Sequence, residues 1–192
     1  LHFSETSSLL PRGEGEDTSI RLQNMIDTLN WVTSIQQEGE KVVQLGDFFD
    51  KKTLTGNELL TVRVLTNKLN GKLSSWEVLV GNHGIDTVGD STYALPSTVY
   101  GKPSAHISVN KQNVYLFLPY LSERNRKPLK EYIDEYIPME WKNKKIIIFS
   151  HNNILGQVPG GAGFTPKEIE DNCSLFINGH LHKRAWLSKK IL

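Results

Sequence analysis

The sequence predicts an α/β fold, because short apolar runs alternate with stretches of helical periodicity along its 192 residues. Four of the apolar runs are brief and end at glycine or a polar residue, as buried strands do. The first helical stretch repeats apolar residues every three or four positions, through Leu22, Met25, Ile26 and Leu29. No repeat, low-complexity tract or Gly/Ser linker divides the chain, so we expect one domain over residues 1–192, truncated at both ends.

Local signals mark the ends of several elements. Asp17, Thr18 and Ser19 offer N-cap side chains for the first helix, and Gly39 follows it as a stop signal. Pro128 suits the first turn of a later helix. We expect helices over residues 17–37, 57–69, 128–136 and 166–171, strands over 41–45, 76–80, 113–118, 145–149 and 174–177, and loops over 84–104 and 158–164.

Composition excludes several classes of protein. The 22 Lys and Arg residues balance 21 Asp and Glu residues, so bulk positive charge cannot drive binding to nucleic acid, although a local basic groove can. A single cysteine, Cys173, rules out an intramolecular disulfide and fits a reducing compartment. The longest apolar run, residues 115–121, is far shorter than the roughly 18 residues of a membrane span. We therefore expect a cytoplasmic protein without a membrane partner.

Side chains that can bind metals or transfer protons follow four of the predicted strands within a few positions. They are Asp47, Asn82, His83, His151, His180 and His182, and His2 stands near the start of the chain. Because the carboxyl ends of parallel strands meet at one edge of a sheet, we expect these side chains to converge. Each motif alone is more often turn chemistry. Five of the six histidines lie in these positions, however, and only His106 does not, so the conjunction predicts a metal site.

The types of ligand indicate a catalytic site rather than a structural one. Imidazole, carboxylate and amide groups are present and thiolate is absent, a set that suits Mn²⁺, Fe²⁺ or Zn²⁺. The set is too large for one tetrahedral ion and suits two ions about 3.5–4 Å apart that share a bridging carboxylate. Such a pair of ions clamps a phosphoryl group and neutralises charge on its attacking and leaving oxygens.

The order of these motifs resembles that of the calcineurin-like metallophosphoesterase superfamily, over nearly the whole chain. The matching segments are His2, Gly46-Asp47-Phe48-Phe49-Asp50, Gly81-Asn82-His83, His151 and Gly179-His180-Leu181-His182. The resemblance implies a four-layer α/β/β/α sandwich. It also implies that Asp47 bridges two ions, one held with His2 and His182 and the other with Asn82, His151 and His180.

The resemblance assigns two residues to the chemistry itself. It implies that His83 is the general acid that protonates the leaving oxygen, and that Asp50 orients and charges this histidine. The sequence departs from the family pattern in two places. The Asp expected directly before Leu1 lies outside the chain, and Gly84 stands where an acidic residue often follows Gly-Asn-His.

Within the superfamily, the chain is most similar to the SbcD-type DNA nuclease subunit of bacteria and phages. The similarity rests on residues 46–53 and on the run from Val78 to His83, and Lys51 and Lys52 disfavour the protein phosphatases. It implies a manganese-dependent DNA exo- and endonuclease of DNA repair, recombination or phage DNA processing, in a bacterial or phage-infected cell. It further implies a homodimer that works with an SbcC-type coiled-coil ATPase.

A DNA substrate needs a basic approach to the metal site. Arg124, Arg126, Lys127 and Lys130 are the candidate contacts, although such a run is more often a solvated face. Two alternatives stay open. One is a phosphatase or small-molecule phosphodiesterase built on the same site, and the other is a DNA-end-binding subunit with weak catalysis.

Overall fold

The computed structural model describes residues 20–49, 60, 62, 64–65, 69, 71–84, 95–157, 161–182 and 185–192. Within these ranges the chain is a mixed α/β fold with two β-sheets, which confirms the predicted class. His2 and Asp50, two of the predicted site residues, lie outside the described residues.

Three helices occupy predicted positions: α1 is Ile20–Ile35, α2 is Leu129–Tyr136 and α3 is Pro166–Asn172. The start of α3 carries a capping box, in which the Thr165 hydroxyl accepts the Glu168 N–H at 3.0 Å and the Glu168 carboxylate accepts the Thr165 N–H. The described residues of the predicted 57–69 helix include Leu60, Val62, Val64 and Leu65, which are helical. Among the described residues, no helix has the length and apolar character to cross a membrane.

The strands form a three-stranded and a four-stranded sheet. The first sheet has the order β1-β2-β3 and is entirely parallel, and the second has the order β4-β5-β6-β7, in which only β4 is antiparallel to its neighbour. The strands are β1 Val43–Gln44, β2 Glu77–Leu79, β3 Thr98–Tyr100, β4 Ser104–Ile107, β5 Asn113–Leu118, β6 Lys145–Ser150 and β7 Leu175–Asn178.

The prediction of a loop over residues 84–104 is wrong at its end. Residues 98–100 form β3, which pairs with β2 over its full length, and Ser104 begins β4. A three-residue strand is too short to show a periodicity of two, so only the pairing with β2 reveals it.

Each sheet packs a helix on one of its faces. Met25 and Leu29 of α1 share a buried cluster with Val78 of β2. Leu129 of α2 and Ile169 of α3 share another with the buried side chains of β5, β6 and β7. These two clusters bury one face of each sheet.

The other faces of the two sheets meet in a third, smaller cluster. Leu79 of β2, Tyr100 of β3 and Phe117 of β5 are buried there, and the rings of Tyr100 and Phe117 stack with centroids 4.3 Å apart. Val78 and Leu79 thus point to different clusters, as the alternation of side chains along a strand requires. The packing brings the carboxyl ends of β1 and β2 next to those of β6 and β7.

Candidate metal centre

Four strand ends supply the side chains of the site. Asp47 follows β1 by three residues, Asn82 follows β2 by three, His151 follows β6 directly, and His180 follows β7 by two. The two sheets are joined here, because Nδ1 of His151 lies 2.5 Å from the carbonyl oxygen of Leu45. The convergence predicted from the sequence is therefore present for these four residues.

Three ligand atoms surround Nε2 of His151. Oδ2 of Asp47 lies 3.0 Å from it, Oδ1 of Asn82 lies 3.1 Å from it, and Nδ1 of His180 lies 3.2 Å from it. Asp47 and His151 are buried, and His180 and Asn82 are partly buried. The four side chains thus meet in a largely solvent-excluded position.

The Leu45 carbonyl determines which nitrogen of His151 carries the hydrogen. A carbonyl oxygen can only accept a hydrogen bond, so Nδ1 must be the donor. Nε2 is then the ring nitrogen that faces Asp47, Asn82 and His180: it can donate to the Asp47 carboxylate when the ring is charged and can ligate a cation when the ring is neutral. A ligating histidine commonly donates its second ring nitrogen to a backbone carbonyl in this way.

The arrangement fits a divalent cation. The ligand atoms of Asp47, His151 and His180 all lie within 4.8 Å of one another, and this group can hold a metal ion. Neighbouring ligand atoms of an octahedral ion with bonds of about 2.1 Å are about 3.0 Å apart. The three separations from Nε2 of His151, 3.0 to 3.2 Å, are close to this spacing.

Backbone conformation places the Asp47 carboxylate in the group. Asp47 has a φ of +48°, a left-handed conformation that Asp tolerates better than most residues. The following strand approaches it so closely that a Cβ atom at Gly81 would overlap the Asp47 carboxylate. A Cβ atom at Gly46 would overlap the His151 ring in the same manner. The two glycines of the Gly-Asp and Gly-Asn-His motifs therefore make room for the ligands.

The electrostatics keep the ligands in the protonation states that metals require. Burial would raise the pKa of Asp47, but the hydrogen bond and charge of His151, with the N–H of His83, lower the pKa to about 2. Burial, followed by the neighbouring charge of His151, lowers the pKa of His180 to about 4. At neutral pH the group therefore offers an ionised carboxylate and a neutral imidazole.

His83 and His182 lie near this group but not in it. The backbone N–H of His83 donates to Oδ1 of Asp47 at 3.1 Å, whereas its Nε2 is 3.9 Å from Oδ2 of Asp47 and its side chain is 37% exposed. His182 is exposed and lines a cavity of about 660 Å³ together with Leu45 and Asn178. Its charge adds to the effects that lower the pKa of His180.

The predicted DNA contacts lie on the segment that follows β5. Lys127 pairs with Glu135 at 2.8 Å, Lys130 pairs with Asp134 at 2.6 Å, and the Arg126 guanidinium lies 5.3 Å from the centre of the Phe164 ring. Arg124 is exposed. Each of the two lysines thus lies beside an exposed carboxylate of the same chain.

The structure adds one side chain that sequence reasoning missed. The ring of Tyr120 lies 6.0 Å from that of His180, and the Tyr120 N–H donates to the carbonyl of Val80. Tyr120 therefore stands beside the group, just past the end of β5. Its only signal in the sequence is its position after an apolar run, directly behind Pro119.

Comparison with known proteins adds no family to this description. No protein-family model matches the chain, and no curated protein is significantly similar to it.

Proposed function

We propose that the chain is a metal-dependent phosphodiesterase that uses two divalent ions, most suitably Mn²⁺, and that it acts as a DNA nuclease of the SbcD type. One observation carries the proposal. Ligand atoms of Asp47, Asn82 and His180 lie within 3.2 Å of Nε2 of His151, although these residues follow four different strands. The set is that of the second ion in the resemblance to calcineurin-like metallophosphoesterases.

The packing supports the four-layer α/β/β/α sandwich as part of the same proposal. Leu79 and Phe117 meet between the sheets, and helical clusters cover Val78 on one side and Leu116 on the other. In this arrangement the carboxyl ends of β1, β2, β6 and β7 lie together, with His83 and His182 exposed beside the buried group. The first ion would take Asp47, His182 and His2.

The side chains have separate tasks in the proposed reaction. Asp47, Asn82, His151 and His180 hold the ions, which when bound supply Lewis-acid activation of a phosphoryl group. The Leu45 carbonyl orients His151, since it accepts the hydrogen of Nδ1. His83 is outside the group and more exposed, so it can donate a proton to the leaving oxygen of a bound substrate.

Two exposed apolar pairs support the proposed homodimer. Trp31 and Ile35 lie one turn apart on α1 and are 62% and 55% exposed, and the helical residues Leu60 and Val64 are 62% and 59% exposed. Pairs of exposed apolar side chains can form part of an interface, and a second copy of the chain would cover them. Trp31→Glu should then yield monomers in light scattering, whereas a dimer that persists in this variant would exclude α1 from the interface.

The partner ATPase and the cellular setting belong to the proposal as well. An SbcC-type coiled-coil ATPase and DNA are the expected partners, in the cytoplasm of a bacterial or phage-infected cell.

The function is tested by hydrolysis of duplex DNA with Mn²⁺ and with a chelator. We expect cleavage that requires Mn²⁺ and disappears in Asp47→Asn. Asp171→Asn, which changes an exposed carboxylate on α3 that pairs with Lys167, is the matched control and should cleave normally. A chain that binds Mn²⁺ but leaves DNA intact would contradict the nuclease proposal.

A second candidate is a phosphatase or small-molecule phosphodiesterase on the same centre. The ion pairs of Lys127 with Glu135 and of Lys130 with Asp134 favour it, because the nearby carboxylates lower the net positive charge that would attract a DNA backbone. A phosphomonoester assayed beside the DNA separates the two functions. Faster turnover of the monoester would favour the second candidate.

A further inference from the structure

Two buried asparagines connect the loops that carry His151 and His180. The backbone N–H of Asn152 donates to Oδ1 of Asn178 at 3.1 Å, and Nδ2 of Asn178 donates to the carbonyl of Asn152 at 2.8 Å. Asn152 is fully buried and Asn178 is 9% exposed, so these bonds are shielded from water. The two residues thus form a reciprocal amide pair, which we call the Asn152–Asn178 clamp.

The clamp also ties in the end of β5. Nδ2 of Asn152 donates to the carbonyls of Leu118 and Pro119 and to the hydroxyl of Ser150, and Oδ1 of Asn152 accepts the N–H of Leu121 at 2.9 Å. A single side chain therefore holds the carboxyl ends of β5 and β6 together, while the pair with Asn178 adds β7. Every polar atom of the Asn152 amide is engaged in these bonds.

Both clamp residues are next to, or two residues from, a proposed ligand. Asn152 directly follows His151, and Oδ1 of Asn178 also lies 3.4 Å from the N–H of His180. The distance of 3.2 Å between Nε2 of His151 and Nδ1 of His180 depends on how these two loops sit relative to each other. The clamp adds side-chain contacts between these loops to the backbone hydrogen bond from the Gly179 N–H to the Ser150 carbonyl.

We infer that Asn152 and Asn178 are positioning residues of the metal centre, which hold His151 and His180 at ligating distance although neither asparagine is a ligand. The inference rests on the proposed metal centre and concerns its preorganisation. Partners that orient metal ligands typically change metal affinity or activity by about 10- to 100-fold when they are removed. The clamp predicts an effect of this size on Mn²⁺ affinity, measured without any substrate.

The test is calorimetric titration of Mn²⁺ into the full chain and into Asn178→Ala, at a temperature where circular dichroism shows both to be folded. We expect the dissociation constant for Mn²⁺ to rise by about 10- to 100-fold. Asn172→Ala is the matched control, since Asn172 at the end of α3 also donates from its amide to a backbone carbonyl but does not touch the clamp. Its dissociation constant should equal that of the unaltered chain.

A purely structural role would lower the melting temperature of Asn178→Ala and leave its dissociation constant for Mn²⁺ unchanged, and this result would overturn the inference. If Asn178→Ala does not fold, Asn178→Ser replaces it, because it keeps a small polar side chain, adds no charge and lacks the amide donor to the Asn152 carbonyl. Unchanged Mn²⁺ affinity in that variant would likewise overturn the inference. Failure of the proposed function is seen separately, as Mn²⁺ binding without DNA cleavage in the unaltered chain.

Discussion

Two buried carboxylates, at opposite ends of the first sheet, have contrasting surroundings. Asp47 follows β1 and Glu77 begins β2, and each residue is only 5% exposed. Around Glu77, donors match acceptors: the Lys41 ammonium pairs with Oε1, and the Tyr100 hydroxyl donates to Oε2 at 2.5 Å. The Tyr100 oxygen in turn lies 3.1 Å from Nε2 of His106. This network spans both sheets and is complete without a ligand.

Around Asp47, side chains that can ligate a metal converge on one ring nitrogen. Oδ2 of Asp47, Oδ1 of Asn82 and Nδ1 of His180 surround a nitrogen of His151 whose other ring nitrogen holds the hydrogen. A cation could be held by this group, whereas the Glu77 network consists of a lysine, a tyrosine and a histidine that contact one another. The comparison teaches that burial of a carboxylate is not itself a functional signal. The types of side chain gathered around it distinguish a structural network from a candidate cation site.

The largest effect is expected when the charge of Asp47 is removed, because only the surroundings of Asp47, and not those of Glu77, are proposed to hold ions. Asp47→Asn should reduce occupancy of both proposed ions and lower DNA cleavage by about 10³-fold or more, because the ions contribute several kcal/mol to the transition state. Inductively coupled plasma mass spectrometry and a gel assay measure the two quantities. Two fully occupied ions in this variant, seen by anomalous scattering, would remove Asp47 from the bridging position.

His83 separates proton transfer from metal binding within the same region. His83→Ala should leave the Mn²⁺ content unchanged and slow DNA cleavage by about 10²- to 10⁴-fold, since a general acid contributes that much. The loss should be smaller for a nitrophenyl phosphodiester, whose leaving group needs no proton. An equal loss for both substrates, or a loss of metal, would instead identify His83 as a positioning residue or a ligand.

A substitution in the Glu77 network should lower stability and leave DNA cleavage unchanged. Glu77→Ala removes the carboxylate that accepts from the Tyr100 hydroxyl and pairs with Lys41, and we expect the free energy of unfolding to fall by about 2 kcal/mol. DNA cleavage by the folded variant should be unchanged, because Glu77 is remote from the carboxyl ends of the strands. Urea denaturation measures the first quantity, with the exposed residue Glu140 changed to Ala as the control. A loss of cleavage in folded Glu77→Ala would show that the two regions are coupled.

Helices, strands and the convergence of the carboxyl ends of the strands could be predicted from the sequence, whereas the buried polar networks could not. The strand over residues 113–118 has the predicted bounds, because its apolar run is continuous and ends at Pro119. Asp47, Asn82, His151 and His180 could be predicted to converge since parallel strands share a carboxyl edge. The three residues of β3 could not be predicted, because their pairing with β2 is a tertiary contact.

The two asparagine partners and the Glu77 network show what single-sequence reasoning lacks. Asn152 and Asn178 are 26 residues apart and lie in no motif of known spacing, so their pairing follows only from the fold. His106 was the histidine without a role in the sequence, and the structure places it on Tyr100. Burial and partner identity, rather than residue type, distinguish these residues from turn and surface residues.

The smallest predicted effect concerns the stability of the metal-free protein at different pH values. The region around Asp47 should lose stability at acidic pH, and the Glu77 network should lose it at alkaline pH. His180 has a pKa of about 4 in the folded chain against 6.5 in an ordinary histidine, so the unfolded chain takes up a proton that the folded chain refuses. The free energy of unfolding in the presence of a chelator should therefore be fully retained above pH 6.5 and fall as the pH decreases towards 4.

Tyr100 has a raised pKa, first because of burial and then because its hydroxyl donates to Glu77, so the unfolded chain releases its proton before the folded chain does. The stabilisation from this hydroxyl should be present below pH 10 and be lost as the pH rises above 10. Urea denaturation across the pH range measures both slopes, with His180→Asn expected to flatten the acidic limb alone and Tyr100→Phe the alkaline limb alone. If either variant flattened both limbs, the two regions would not titrate independently, and the contrast between them would fail.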